Sequence, residues 1–197
     1  MAVERSLVAG LGNPGKTYAR TRHNVGFMVI DHLAKDLSLT FDKKKFDVIY
    51  DVFEQQGEKL LFAKPMTYMN NSGFSLLKLA RYFNAEQGRM IVVHDDIDLL
   101  FGQIKIKTHG GHGGHKGIRS IIEAFGRDDF TRIRVGIGHP GDKDGVVDHV
   151  LGSFSKDETE KLSLLIQRAG EAVRIVLEKG DSEAMNRFHG LWPEGIS

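Results

Sequence analysis

The chain of 197 residues contains no cysteine. Disulfides, thiolate nucleophiles and cysteine-ligated zinc are therefore closed to it, and the composition fits a reducing compartment. Only four prolines occur, and no Ser/Pro-rich linker or low-complexity tract divides the chain. No apolar run is long enough to span a bilayer. Met1 to Ser6 carry Glu4 and Arg5 and lack the layout of a signal peptide. The expectation is a cytoplasmic protein with no membrane contact. Net charge is nearly absent as well, at +1, so no global field points to a polyanion. The hydrophobic share of 41% and charged share of 27% are ordinary for a globular protein. The length suits one domain over residues 1–197.

Local charge is less even. Between Gln103 and Arg134 stand seven basic residues, Lys105, Lys107, Lys116, Arg119, Arg127, Arg132 and Arg134, against Glu123, Asp128 and Asp129. Such a face can hold phosphates, or it can be a solvated surface of mixed charge. Glycines cluster at 10–15, 110–117 and 136–145, as expected where a backbone turns sharply or approaches a ligand.

Ser6–Leu11 reads as a buried first strand ended by the turn Asn13-Pro14-Gly15. Val25, Met28, Ile30, Leu33 and Leu37 form a helical stripe through 23–37. Residues 47–54 and 59–64 read as a hairpin, and 68–83 as a second helix. Strands are expected at 90–94, 103–107 and 132–137, with a short helix at 118–125. A long amphipathic helix is expected at 156–179, then a closing helix at 181–188 capped by Asp181 or Ser182. Interleaved strands and helices define an α/β class: a single mixed, mostly parallel twisted sheet flanked by helices on both sides. Functional groups are expected at the C-terminal ends of its strands, namely Asn13, Asp95 and the loop 107–117.

Five constellations could carry chemistry. Gly10, Gly12 and Gly15 fit a dinucleotide fingerprint formally. Pro14, however, removes a backbone N–H that a pyrophosphate would need, and the helix starts too late. His23, after a polar loop at a helix start, is a candidate base, since an imidazole titrates near pH ~6.5. The carboxylates of His94-Asp95-Asp96-Ile97-Asp98 follow a buried strand; they can bind a metal, orient a histidine or merely cap a turn. His109, His112 and His115 lie on a glycine loop that does not preset metal geometry, so a substrate loop is favoured over a metal site. Lys105 and Lys107, two apart on a strand, share a face, and so do Arg132 and Arg134.

Taken together, these blocks resemble a known family. Gly10-Leu11-Gly12-Asn13-Pro14-Gly15 with Tyr18 and Thr21-Arg22-His23-Asn24-Val25-Gly26 is followed by Lys64-Pro65-Met66-Thr67-Tyr68-Met69-Asn70-Asn71-Ser72-Gly73. Then come His94-Asp95-Asp96-Ile97-Asp98-Leu99, Gly110-Gly111-His112-Gly113-Gly114-His115 and Arg134-Val135-Gly136-Ile137-Gly138-His139-Pro140. Their order and spacing over nearly the whole chain resemble bacterial-type peptidyl-tRNA hydrolases. The resemblance implies a monomeric enzyme that cuts the ester between a peptide and the 3′ end of tRNA, without metal or cofactor. It implies His23 as base, stabilised by Asp95. It implies Asn13 as the discriminator between blocked and free aminoacyl ends, and Asn70 near the attacked carbonyl. Tyr18, Tyr68, Met69 and Lys116 are implied as contacts to the tRNA end, and Lys105, Lys107 and Arg134 as contacts to its acceptor region. Lys116 departs from the family's usual asparagine and offers only donors. Thr108-His109 stands where the family often has Leu-Gly, so His109 is not read as essential. Two rival readings are a metal-dependent hydrolase built on His94, Asp95, Asp98 and the loop histidines, and a non-catalytic RNA-binding module.

Overall fold

Alternation along the strands decides which helices each face of the sheet receives. The computed structural model describes residues 5–55, 57–85, 89–141 and 145–189. Its strands are β1 (Arg5–Gly10), β2 (Lys43–Lys45), β3 (Val48–Gln55), β4 (Glu58–Pro65), β5 (Met90–Asp96), β6 (Ile104–Lys107) and β7 (Thr131–Gly136). They form one seven-stranded sheet in the order β2-β3-β4-β1-β5-β7-β6. The central pairings β4–β1, β1–β5 and β5–β7 are parallel. The outer ones, β2–β3, β3–β4 and β6–β7, are antiparallel. The sheet is thus mixed, with its parallel strands in the middle, where both faces are covered.

The helices are α1 (Val25–Asp36), α2 (Ser72–Tyr82), α3 (Lys116–Phe125), α4 (Val146–Leu151), α5 (Lys156–Lys179) and α6 (Asp181–Phe188). Val8 of β1, Ile91 and Val93 of β5, and Ile133 and Val135 of β7 pack with Val29, Ile30 and Leu33 of α1 and Leu165, Ala169 and Val173 of α5. Their sequence neighbours Leu7, Ala9, Met90 and Val92 turn the other way, against Leu76 and Leu79 of α2 and Ile118 and Ile121 of α3. Each fully buried aliphatic side chain contributes about 1.5–3 kcal/mol. The two-residue period therefore ties α1 and α5 to one face and α2 and α3 to the other.

Two glycines set how closely α1 approaches the sheet. A Cβ on Gly26 would lie 2.4 Å from the Val93 carbonyl oxygen and 2.5 Å from the Leu11 nitrogen; one on Gly10 would lie 2.3 Å from the Gly26 carbonyl oxygen. The first turn of α1 thus touches the ends of β1 and β5. This contact accounts for Gly10 without any dinucleotide.

Several expectations shift. The 23–37 stripe resolves into a 3-10 turn, Arg22–Asn24, followed by α1, and 68–83 into a 3-10 turn, Met69–Asn71, followed by α2. The closing helix has the expected bounds but no side-chain cap; Asp181 instead accepts a hydrogen bond from the Thr131 hydroxyl at 2.8 Å. The edge strand β2 was not expected. It is made of three lysines, a residue type depleted in strands yet well suited to blocking further pairing at an edge. The six-residue α4 was not expected either. It buries no residue and so has no apolar periodicity to read. A further difference bears on the site. Because β6 is antiparallel, its C-terminal Lys107 lies opposite Arg132 near the start of β7, not at the common C-terminal edge. The glycine loop after it must run back along the sheet before α3 begins.

Gly26→Ala should lower the urea midpoint by the equivalent of about 1–3 kcal/mol or more, the usual cost of overpacking. A midpoint equal to that of the parent chain would show that the α1–β5 approach is not tight.

Candidate active site

Ile91 and Val93 point from β5 toward α1, and Asp95 continues that alternation one step past the core. There it meets the 3-10 turn that precedes α1. His23 Nδ1 lies 2.8 Å from Asp95 Oδ1 and 3.0 Å from Oδ2. Both residues are buried, His23 at 8% and Asp95 at 2% exposure. The turn is fixed from behind by Arg22, which donates to Glu158 at 2.6 Å and to the Ser153 carbonyl at 2.8 Å. Glu158 also closes the capping box of α5 with Ser155.

A second imidazole reaches the same carboxylate. His115 Nε2 lies 2.9 Å from Asp95 Oδ1. Its other nitrogen, Nδ1, accepts from the backbone N–H groups of Gly117 and Ile118, at 3.1 and 3.3 Å, as the cap of α3. A nitrogen that accepts two N–H groups holds no proton, so Nε2 carries the proton and donates it to Asp95. His23 in turn donates through Nδ1–H, which leaves the lone pair on Nε2. Burial by itself would raise the Asp95 pKa; the adjacent imidazoles, His23 ahead of His115, outweigh burial and hold the carboxyl well below its ordinary range.

His23, Asp95 and His115 are also the one group among the described residues whose ligand atoms all lie within 4.8 Å of one another. The hydrogen bonding argues against a cation there. Metal on His115 Nε2 would have to displace a proton while Nδ1 still serves the backbone, or else uncap α3. The rival metal set including His94 and Asp98 does not assemble. His94 turns its Nδ1 to the Asp95 carbonyl oxygen at 2.7 Å, and Asp98 is exposed.

The amide of Asn13 is oriented by backbone. Asn13 N donates to Asn24 Oδ1 and Asn24 Nδ2 donates to the Asn13 carbonyl, both at 2.9 Å, while Asn13 Oδ1 accepts the Met69 N–H at 3.0 Å. One lone pair of the Asn13 oxygen is thus engaged, which orients the amide and leaves its Nδ2–H donors for a ligand. Sequence reasoning gave Asn24 no role and weighed His115 only as a loop histidine, not as a partner of Asp95. Asn24 shares the Thr-Arg-His-Asn block and His115 ends the Gly-Gly-His block, but their roles depend on contacts 11 and 20 residues away.

These groups border a groove of about 880 Å³. Tyr18, Tyr68, Met69, Asn70, Lys107, Lys116 and Arg134 line it too, with Tyr68 61% exposed. Val146, Val147, Val150 and Leu151 of α4 add an apolar wall. Lys105 does not line the groove; it is exposed, opposite Arg134 in the β6–β7 register. Arg134 pairs with Asp96, so its charge is shared. Of the histidines on the glycine loop, His112 lines the groove and His109 does not.

A carboxylate-held imidazole beside an open groove on an α/β sheet is an arrangement that hydrolytic enzymes use, and no helix among those described is long and apolar enough to cross a membrane. Comparison narrows the class. Residues 7–194 match the family model described as peptidyl-tRNA hydrolase. The chain is 45% identical over 185 residues to the peptidyl-tRNA hydrolase of Clostridium novyi, covering 94% of this chain and 98% of that one. It is also 45% identical over 183 residues to that of Bacillus subtilis, covering 93% and 97%. The crystal structure of peptidyl-tRNA hydrolase from Acinetobacter baumannii superposes with a TM-score of 0.89 at 36% identity, covering 98% of this chain and 99% of that one. The chain belongs to the peptidyl-tRNA hydrolase family.

The fourth buried polar group of the site gives a pH signature. Burial, reinforced by His115, holds the His94 pKa well below its ordinary 6.5. The folded state therefore keeps His94 neutral where the unfolded chain takes up a proton. The stability this represents is fully present above pH ~6.5 and is lost as pH falls below it, at up to about 1.4 kcal/mol per pH unit. Denaturant titrations between pH 7 and 5 should show a shallower decline for His94→Asn than for the parent chain; parallel curves would exclude His94 as a source of the slope.

Proposed function

We propose that the protein hydrolyses the ester between a peptide, or an N-blocked amino acid, and the 3′ end of tRNA, releasing peptide and free tRNA for recycling. The observation that carries this reading is the His23 imidazole, held by a buried carboxylate beside an open groove. A water in the groove gives a proton to His23 Nε2 as its oxygen attacks the ester carbonyl. The tetrahedral intermediate then collapses, and the proton returns to the departing ribose oxygen. Base catalysis of this kind supplies on the order of 10²–10⁴ in rate. The Asn70 amide is the leading donor to the developing oxyanion, worth about 3–4 kcal/mol for such a donor. An ester needs no covalent intermediate, and neither cysteine nor a Gly-x-Ser-x-Gly elbow is present.

The Asn13 geometry supports selectivity for blocked ends. Its oxygen is taken by Met69 N–H, so it meets substrate with donors. Donors suit the carbonyl of a peptide and repel the ammonium of a free aminoacyl end, whose pKa is about 7.7–8.0. Tyr18, Tyr68, Met69 and Lys116 contact the tRNA end in this reading, while Lys105, Lys107 and Arg134 hold acceptor phosphates.

Release of free tRNA from N-acetyl-aminoacyl-tRNA in the presence of EDTA, beside an unblocked control, tests the proposal. Turnover of the blocked substrate alone is expected. Abolition by the chelator would favour a metal enzyme, and binding without turnover an RNA-binding module. His23→Ala should abolish turnover while tRNA binding persists. Asp95→Asn should cut kcat by up to about 10⁴, because an amide can drive the imidazole into the wrong tautomer; a loss under tenfold would remove Asp95 from the mechanism. Lys105→Ala should weaken tRNA binding and flatten its salt dependence by roughly one phosphate contact. A slope unchanged from the parent would deny the phosphate role.

A further inference from the structure

Arg132 and Arg134 lie two apart on β7 and share a face of the sheet, yet they do different things. Both border the groove, and Arg134 has its charge on Asp96. Arg132 is 2% exposed. Its guanidinium faces no carboxylate at ion-pair distance among the described residues. Instead it donates to three backbone carbonyls: Nη1 to Gly111 at 2.7 Å, and Nη2 to Gly110 and to Asp128, the last at 3.1 Å. The guanidinium also stacks over Phe130, with Cζ 4.5 Å from the ring centroid. Two of the three carbonyls belong to the glycine loop, at the point where it turns back after β6. Gly110 there has φ +111°, a conformation that a residue with a side chain rarely adopts.

The far end of the same loop has its own anchor. His115 caps α3 and donates to Asp95. Among the described residues the near end has no side-chain anchor other than Arg132, and between the two anchors lie Gly111, His112, Gly113 and Gly114, which border the groove. Glycine-rich backbone loses much conformational freedom on ordering. Without a fixed near end, that segment would have to be ordered by the substrate at the substrate's expense.

From this geometry we infer that Arg132 is a positioning residue for substrate binding: a buried cation that fixes the carbonyls of Gly110 and Gly111 and so pre-shapes the loop along the groove. Its charge is spent inside the protein and is not offered to tRNA phosphates. The inference rests on the function proposed above and separates Arg132 from the neighbouring basic residues Lys105, Lys107 and Arg134. Arginine is required because one planar guanidinium reaches three carbonyls, whereas the three diverging donors of a lysine ammonium do not span them from one point.

The test compares Arg132→Met and Arg132→Lys with the parent chain, using steady-state hydrolysis of N-acetyl-aminoacyl-tRNA and backbone amide exchange over residues 110–114. In the Met variant KM should rise about tenfold or more, the equivalent of losing charge-assisted hydrogen bonds. kcat and the midpoint of its pH profile should stay put, because His23 and Asp95 are held by α1 and β5. Amide exchange of the loop should quicken, and the Lys variant should fall in between. A KM within about twofold of the parent, or kcat falling in step with thermal stability while KM stays fixed, would overturn the assignment. If the parent chain turns over no substrate, the proposed function fails by itself. Loop exchange then still decides the role of Arg132: faster exchange in the Met variant supports the clamp, and unchanged exchange refutes it.

Discussion

A single buried carboxylate, Asp95, holds the candidate site together. An ionised carboxyl with 2% exposure is costly unless its oxygens are hydrogen-bonded. Here two imidazoles, from His23 and His115, donate to it at 2.8 and 2.9 Å. The consequence for His23 is orientation: with Nδ1–H committed to Asp95, its remaining nitrogen is the basic one. The consequence for His115 is a link between the carboxylate and the N-terminus of α3. One charge thereby ties together the starts of α1 and α3 and the end of β5, elements on opposite faces of the sheet.

Meeting at that charge requires tight packing nearby. α1 presses so close to β1 and β5 that Gly10 and Gly26 have no room for a Cβ. Arg22 then locks the turn carrying His23 onto the start of α5 through Glu158 and the Ser153 carbonyl. Interiors at crystalline density do not deform smoothly, so an imidazole mounted this way keeps its angle when substrate arrives. The general-base role proposed for His23 would depend on such pre-organisation, since a small misplacement costs rate steeply.

The groove's polar groups are presented by the same logic of occupied and unoccupied valences. Asn24 straps the Asn13 backbone, and Met69 N–H takes the Asn13 oxygen. The amide is thereby turned with its Nδ2–H donors unengaged by that pairing, which is what the proposed function uses. Along β6 and β7 the basic residues divide: Lys105 is exposed, Arg134 is shared with Asp96, and Arg132 is turned inward onto backbone carbonyls. Counting positive charge in that segment would have treated all three alike.

Much of the frame could be read from the chain alone. The buried run around Val8, the hairpin through Gly57, the stripe of α5 and the α/β order all follow from periodicities that local burial imposes on the sequence. The motif blocks holding His23 and Asp95 were legible in a different way, through the family resemblance that their order and spacing carry. What the sequence could not supply was whatever depends on meetings across long stretches of chain. These are the approach of His115 to the Asp95 that the resemblance had paired with His23, the direction of β6 and hence the return path of the glycine loop, the close contact that explains Gly10 and Gly26, and the inward turn of Arg132. Short elements such as β2 and α4 escaped because three or six residues carry no readable period. Local pattern encodes which face of an element is buried. Only the folded chain decides which distant groups share that burial, because a hydrogen bond between residues 72 positions apart leaves no spacing rule in the sequence.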